Sequence, residues 1–128
     1  MACISFIIFP AENKFIQIMR QTVFISGGSR GIGRACAIAL ATKGARIGIH
    51  YHKNEQAAQD TLSSLPGEGH LLFQADLRQE NKVEQMIKRV FSEWETIDVL
   101  VNSAGIYTEH PIESVDASEW MAQWRNIL

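Results

Sequence analysis

Ser26-Gly27-Gly28-Ser29-Arg30-Gly31-Ile32-Gly33 begins on the last residue of a β-branched and aromatic strand, Thr22-Val23-Phe24-Ile25-Ser26, and opens a stretch in which Ile32, Cys36, Ala39 and Leu40 recur at helical spacing. A glycine-rich string by itself is a weak signal, but between a strand and a helix it acquires a mechanism. Gly27 lets the chain leave the strand with no side chain in the way, Gly31 lets backbone approach a pyrophosphate, and Gly33 lets the helix pack close to the sheet. The free N–H groups at the helix start, with the positive end of its dipole, suit a diphosphate. The plainer alternative is a tight turn that binds nothing.

Working outward, strand and helix patterns alternate. Gly44 stands where a helix C-cap is wanted, and Arg46–Tyr51 reads as a second strand. Asn54 is placed to cap a helix in which Ala58, Leu62 and Leu65 share a face, and Pro66-Gly67 breaks it. A third strand covers 71–73. Val83, Met86, Ile87, Val90, Phe91 and Trp94 form the cleanest helical stripe in the chain. Ile97-Asp98-Val99-Leu100-Val101 is a fourth strand, nearly all apolar, as suits one covered on both faces. Ser118 is placed to cap a last helix that carries Trp120, Met121, Trp124, Ile127 and Leu128. This alternation predicts an α/β fold, a doubly wound parallel sheet in the order 3-2-1-4.

The 128 residues suffice for one domain, and 46% hydrophobic with 20% charged residues excludes wholesale disorder. A net charge of -2 argues against general nucleic-acid binding. Cys3 and Cys36 provide neither a disulfide framework nor a zinc spacing, so a cytoplasmic setting is expected. His50 and His52 share a strand face, but no third ligand stands at a recognisable metal spacing. The run Phe6-Ile7-Ile8-Phe9 stops at Pro10, far short of a membrane span, and no basic residue precedes Lys14. Residues 1–18 are therefore expected to be an extension outside the fold, with Met19 as the start of translation and 19–128 as the domain. The rival reading is a short extra strand or an anchoring arm.

The glycine turn has the spacing Gly-x3-Gly-x-Gly and resembles the coenzyme motif of the short-chain dehydrogenases/reductases, with Ser26 where that family usually has Thr. Asp76-Leu77 follows the third strand, where the family's acidic residue contacts adenine. Asn102-Ser103-Ala104-Gly105 ends the fourth, where the family usually has Asn-Asn-Ala-Gly, so Ser103 departs from the pattern. The resemblance covers about residues 20–128 and only the first half of the family's pattern. It implies a Rossmann-like fold and a nicotinamide cofactor held by Gly27, Ser29, Arg30, Gly31, Ile32 and Gly33 in the turn, and by His52 and Lys53 after the second strand. Asp76, Leu77, Asn102, Ala104 and Gly105 complete the expected contacts.

A site that prefers NAD usually carries an acid about 20 residues after the turn, on the ribose 2′-hydroxyl. Here His50-Tyr51-His52-Lys53-Asn54 has none, and Glu55 falls in the next helix's first turn. Lys53 and Arg30 would attract a 2′-phosphate, so the expected cofactor is NADP rather than NAD.

Family chemistry needs Tyr-x-x-x-Lys and a Ser. Tyr51 is followed four places on by Glu55 and Tyr107 by Pro111, so neither tyrosine fits. Asn126 stands off the family's expected register and reads as an ordinary helix residue. No catalytic residue is assigned. The pattern stops in mid-helix, which suggests a truncated chain: the coenzyme-binding part of a reductase similar to the 3-oxoacyl carrier-protein reductases, inactive alone. A non-catalytic dinucleotide-binding or interaction module is the alternative. A flavodoxin-like or response-regulator domain is disfavoured by the glycine turn. Exposed apolar surface on the sheet edge and the last helix predicts a homo-oligomer or self-association.

Overall fold

The computed structural model describes residues 5–8, 21–105, 117, 118 and 121. The chain runs β1 (Ser5–Ile8), β2 (Thr22–Ser26), α1 (Gly31–Thr42), β3 (Arg46–Tyr51), α2 (Glu55–Ser64), β4 (Leu71–Gln74), α3 (Glu80–Glu93) and β5 (Val99–Asn102). β2 pairs in parallel with both β3 and β5, and β3 in parallel with β4. The parallel strands thus lie in the order β4-β3-β2-β5, the expected 3-2-1-4.

Alternation along the strands sends side chains to two faces, and each face has its own helices. Val23, Ile25, Ile47, Ile49, Val99 and Val101 pack under α1 with Ala37 and Ala41, and Leu65, just past α2, joins them. On the other face Phe24 and Phe73 meet Met86, Val90 and Trp94 from α3 and its C-cap. The Phe73 and Trp94 rings stand edge to face at 5.9 Å. Asn54 caps α2 by accepting the Ala57 N–H at 2.9 Å. β5 starts two residues later than the sequence pattern suggests. Asp98 is held back by pairing with the start of β2: its carboxylate accepts the Thr22 N–H at 2.8 Å and its own N–H donates to the Thr22 carbonyl at 2.9 Å.

Two expectations need correction. Residues 1–18 are not all outside the fold, because β1 pairs antiparallel with β5, Ser5 opposite Asn102 and Ile8 opposite Val99. The physical reason is that the edge of β5 offers unpaired backbone groups, and a β-branched, aromatic tetrapeptide is suited to take them. The same pairing means that the β5 edge is not free for self-association. The last helix lies outside the described residues except for Ala117, Ser118 and Met121, which are helical. Tyr107, Trp120, Trp124 and Asn126 are also outside them.

Candidate functional site

The loops that leave β2, β3, β4 and β5 emerge at the same end of the sheet, because the four strands are parallel. Ligands of open parallel sheets bind at this end. The predicted residues divide among these exits. Gly27, Ser29 and Arg30 follow β2 and lead into Gly31, Ile32 and Gly33 of α1. His52 and Lys53 follow β3, Asp76 and Leu77 follow β4, and Asn102 closes β5 ahead of Ala104 and Gly105.

The β2 and β5 exits are stitched together. The Ser26 hydroxyl oxygen accepts the N–H groups of Ser103 and Ala104, each at 3.2 Å. This brings Ala104 against Gly27, where a Cβ would sit 2.7 Å from the Ala104 Cα and where φ is +68°. Both conditions require glycine. Gly33 is held as tightly, since a Cβ there would run into the Gly27 carbonyl. Gly31 differs: its φ is +57° and nothing lies within 4 Å of where a Cβ would sit, so its α-carbon faces open space.

Arg30 precedes α1 in an extended conformation and makes no side-chain cap, and the first turn of α1 holds no acid. The helix start therefore presents uncapped N–H groups and a positive dipole end with no carboxylate to neutralise them. This donor set, with the open space at Gly31, fits a diphosphate. Ile32 and Leu77 are 46% and 41% exposed, unusually open for such residues, and supply apolar surface at the same rim.

At the β3 exit Lys53 is exposed, as Arg30 is in the glycine turn, and Glu55 is the first residue of α2, near enough for its charge to act on Tyr51 at the end of β3. Asp76 is saturated with donors. Its Oδ1 accepts the N–H and Nε–H of Arg78 at 3.1 and 2.9 Å, and its Oδ2 accepts Arg78 Nη2 at 2.7 Å and Gln79 Nε2 at 3.1 Å. These bonds, from Arg78 first, hold its carboxyl far below the ordinary carboxylate range. An adenine contact through this carboxylate has to displace one of those donors. His52 Nε2 lies 3.6 Å from the same Oδ2.

Two contributors escape sequence reasoning. Thr61, fully buried on α2, donates to the Ser29 carbonyl at 2.9 Å and so ties the glycine turn to a helix far along the chain. His50 reaches the turn from the other side, with Nδ1 3.1 Å from the Gly27 amide nitrogen and Nε2 3.1 Å from the Ala75 carbonyl. No local spacing signals either. Both are polar residues at buried positions of an apolar pattern, the one clue available beforehand. Among the described residues no group of three or more His, Cys, Asp or Glu is placed to hold a metal, and no helix is long and apolar enough to cross a membrane.

The short chain dehydrogenase family profile matches residues 21–125. A 3-oxoacyl-(acyl-carrier-protein) reductase of Staphylococcus epidermidis is 33% identical over 104 residues, which cover 80% of this chain and 43% of that protein. A short-chain dehydrogenase/reductase homolog of Bacillus subtilis is 29% identical over 105 residues, which cover 80% of this chain and 96% of that shorter relative. Among solved structures, a dehydrogenase/reductase from Sinorhizobium meliloti superposes with a TM-score of 0.75 at 32% identity, covering 86% of this chain and 45% of the other. The chain thus spans under half the length of the Staphylococcus and Sinorhizobium proteins.

Proposed function

Because the chain belongs to the short-chain dehydrogenase/reductase family, we propose that it is the coenzyme-binding portion of an NADP(H)-dependent oxidoreductase acting on a carbonyl or alcohol. The observation that carries the cofactor choice is the rim beyond β3. Lys53 stands exposed there, Arg30 stands exposed in the glycine turn, and the run His50-Tyr51-His52-Lys53-Asn54 contains no acid. Two exposed cations favour a 2′-phosphate over a bare ribose hydroxyl, and Asp76, the acid beside His52, is already paired with Arg78.

In this reading the turn from Gly27 to Gly33 and the start of α1 receive the diphosphate, Lys53 and Arg30 the 2′-phosphate, Asp76 and Leu77 the adenine side, and Asn102, Ala104 and Gly105 the nicotinamide half. When bound, the nicotinamide gives or takes a hydride. The chain's own residues orient it and exclude water from its diphosphate. Neither tyrosine of the sequence has Lys four residues on, so no residue here is assigned the proton transfer that accompanies the hydride. A dinucleotide-binding module without turnover is the alternative reading.

Fluorescence titration of the purified chain tests the choice. NADPH should bind more tightly than NADH, and Lys53→Glu should weaken NADPH by about 1–2 kcal/mol, the scale of one charge-assisted contact. Equal affinities for the two cofactors would overturn the NADP assignment. We place the protein in the cytoplasm, consistent with the free Cys36. Self-association, expected through the sheet edge and the last helix, is left to the last helix once β1 covers the β5 edge, and Met121 there is 56% exposed.

A further inference from the structure

His50 occupies an unusual place for an ionisable group. It lies on β3, is only 3% exposed, and uses both ring nitrogens on backbone groups of two different loops. The partners decide its chemical state. An amide N–H has only a hydrogen to give, so Nδ1 must be the bare acceptor. A carbonyl has only lone pairs, so Nε2 must carry the proton. The structure therefore defines a neutral imidazole with its hydrogen on Nε2. A second proton on Nδ1 would face the Gly27 N–H, donor against donor.

The backbone of the same residue strengthens the tie. The His50 carbonyl accepts the Gly28 N–H at 3.0 Å, so two successive amides of the glycine turn rest on one residue of β3. On the far side Ala75, which receives the Nε2 proton, directly precedes Asp76 and Leu77, and its own N–H donates to the Tyr51 carbonyl at 3.2 Å. One imidazole thus sets the spacing between the glycine turn and the loop after β4.

We propose that His50 is a positioning residue of the dinucleotide site, which in its neutral Nε2–H form holds the glycine turn in the binding geometry and on protonation releases Gly27 and lowers dinucleotide affinity. This rests on the dinucleotide reading above. Burial pushes the His50 pKa below its ordinary value, the Ala75 bond partly offsets this, and His52 adds to it. The other charged groups on neighbouring segments are Arg30 in the turn, Arg34 on α1, Lys53 after β3, Glu55 and Asp60 on α2, Asp76 and Arg78 after β4, and Glu80 in the first turn of α3. Asp76 and Arg78 pair with each other, and His52 is the neighbour whose own charge acts on His50.

The test compares NADP+ affinity by calorimetry from pH 8 down to one pH unit below the His50 pKa that ring 15N shifts of the wild type give, in the full chain, in His50→Asn and in His50→Leu. Asn keeps an acceptor near the Nδ1 position and does not titrate. The titration of the ligand's own 2′-phosphate is common to all three proteins and cancels in the comparison. Wild type should lose affinity relative to His50→Asn as pH falls, approaching about tenfold per pH unit below the His50 pKa. His50→Leu should bind weakly at every pH. On the wild type alone, ring 15N shifts should report the Nε2–H tautomer, and the Gly27 amide resonance should move with the same midpoint as the ring. Identical pH profiles for wild type and His50→Asn, or a Gly27 amide indifferent to the ring's titration, would overturn the proposal alone. No binding of NADP+ or NADPH by wild type at pH 8 would overturn the dinucleotide reading and this proposal with it.

Discussion

A methyl group at Gly27 meets the Ala104 backbone and sits on a φ of +68°, while one at Gly31 meets nothing and sits on a φ of +57°. The two glycines therefore separate what a single motif combines. Gly27→Ala is strained in conformation and in contact, and each such strain costs on the order of 1–3 kcal/mol. Gly31→Ala carries only the left-handed backbone penalty of roughly 1–2 kcal/mol, but it fills the space into which a diphosphate would enter. Urea unfolding should thus show the larger stability loss for Gly27→Ala. NADPH titration of the folded protein should show binding abolished in Gly31→Ala. Equal stability losses in the two variants would mean that the β5 exit does not press on the turn as the structure has it.

At the scale of elements, what the sequence made legible depended on whether a residue's role was local. β2 and β3 read to the residue, because β-branched runs bounded by glycine or a turn need no distant partner to be recognised. The Asn54 cap was legible for the same reason, since its bond to Ala57 spans three residues. Roles set by distant contacts were not. Gly48 is an ordinary strand residue until the Trp94 ring is found 2.8 Å from where its Cβ would be. Phe91 fits the α3 stripe by period but is left exposed beside Phe24, Ile87, Ile97 and Leu100, which line an apolar groove of about 380 Å³. β1 follows the rival reading of residues 1–18, a short extra strand, rather than the favoured one: its apolar run is visible in the sequence, but its pairing with the β5 edge is not encoded locally. That pairing carries a prediction. A chain beginning at Met19 leaves the outer edge of β5 with unpaired backbone groups, which invite another chain. Sedimentation velocity should show more self-association for this shortened chain than for the full one. Identical profiles would mean that β1 contributes nothing to covering the edge.

For the whole molecule, binding and turnover should come apart. The site end of the sheet gathers a glycine turn with uncapped helix N–H groups, two exposed cations and apolar rim residues, yet no tyrosine in the sequence has its lysine four residues on. The purified chain should therefore bind NADPH without oxidising it in the presence of ketones or acyl thioesters, and turnover that survives rigorous removal of host reductases would place the proton transfer on a residue not recognised here. Stability should also carry a pH signature from the same loops. His50 has a folded pKa below its ordinary 6.5, so between that folded value and 6.5 the unfolded chain binds a proton that the native chain refuses. Stability rises with pH wherever the unfolded state binds more protons, so the His50 contribution is complete above about pH 6.5 and declines as pH falls below it. Asp76 acts in the same direction lower down. Its folded pKa lies far below the ordinary 3.8, so its contribution is complete above that value and is lost as pH falls further, with little weight because its partner Arg78 is exposed. Urea unfolding midpoints measured from pH 8 to pH 4 should hold steady to about pH 6.5 and then fall, and His50→Asn should flatten the upper part of that fall. A wild-type midpoint that stays level from pH 6.5 to pH 5, or one that falls equally in His50→Asn, would mean that folding does not lower the His50 pKa and that the imidazole contributes nothing to the pH dependence of stability.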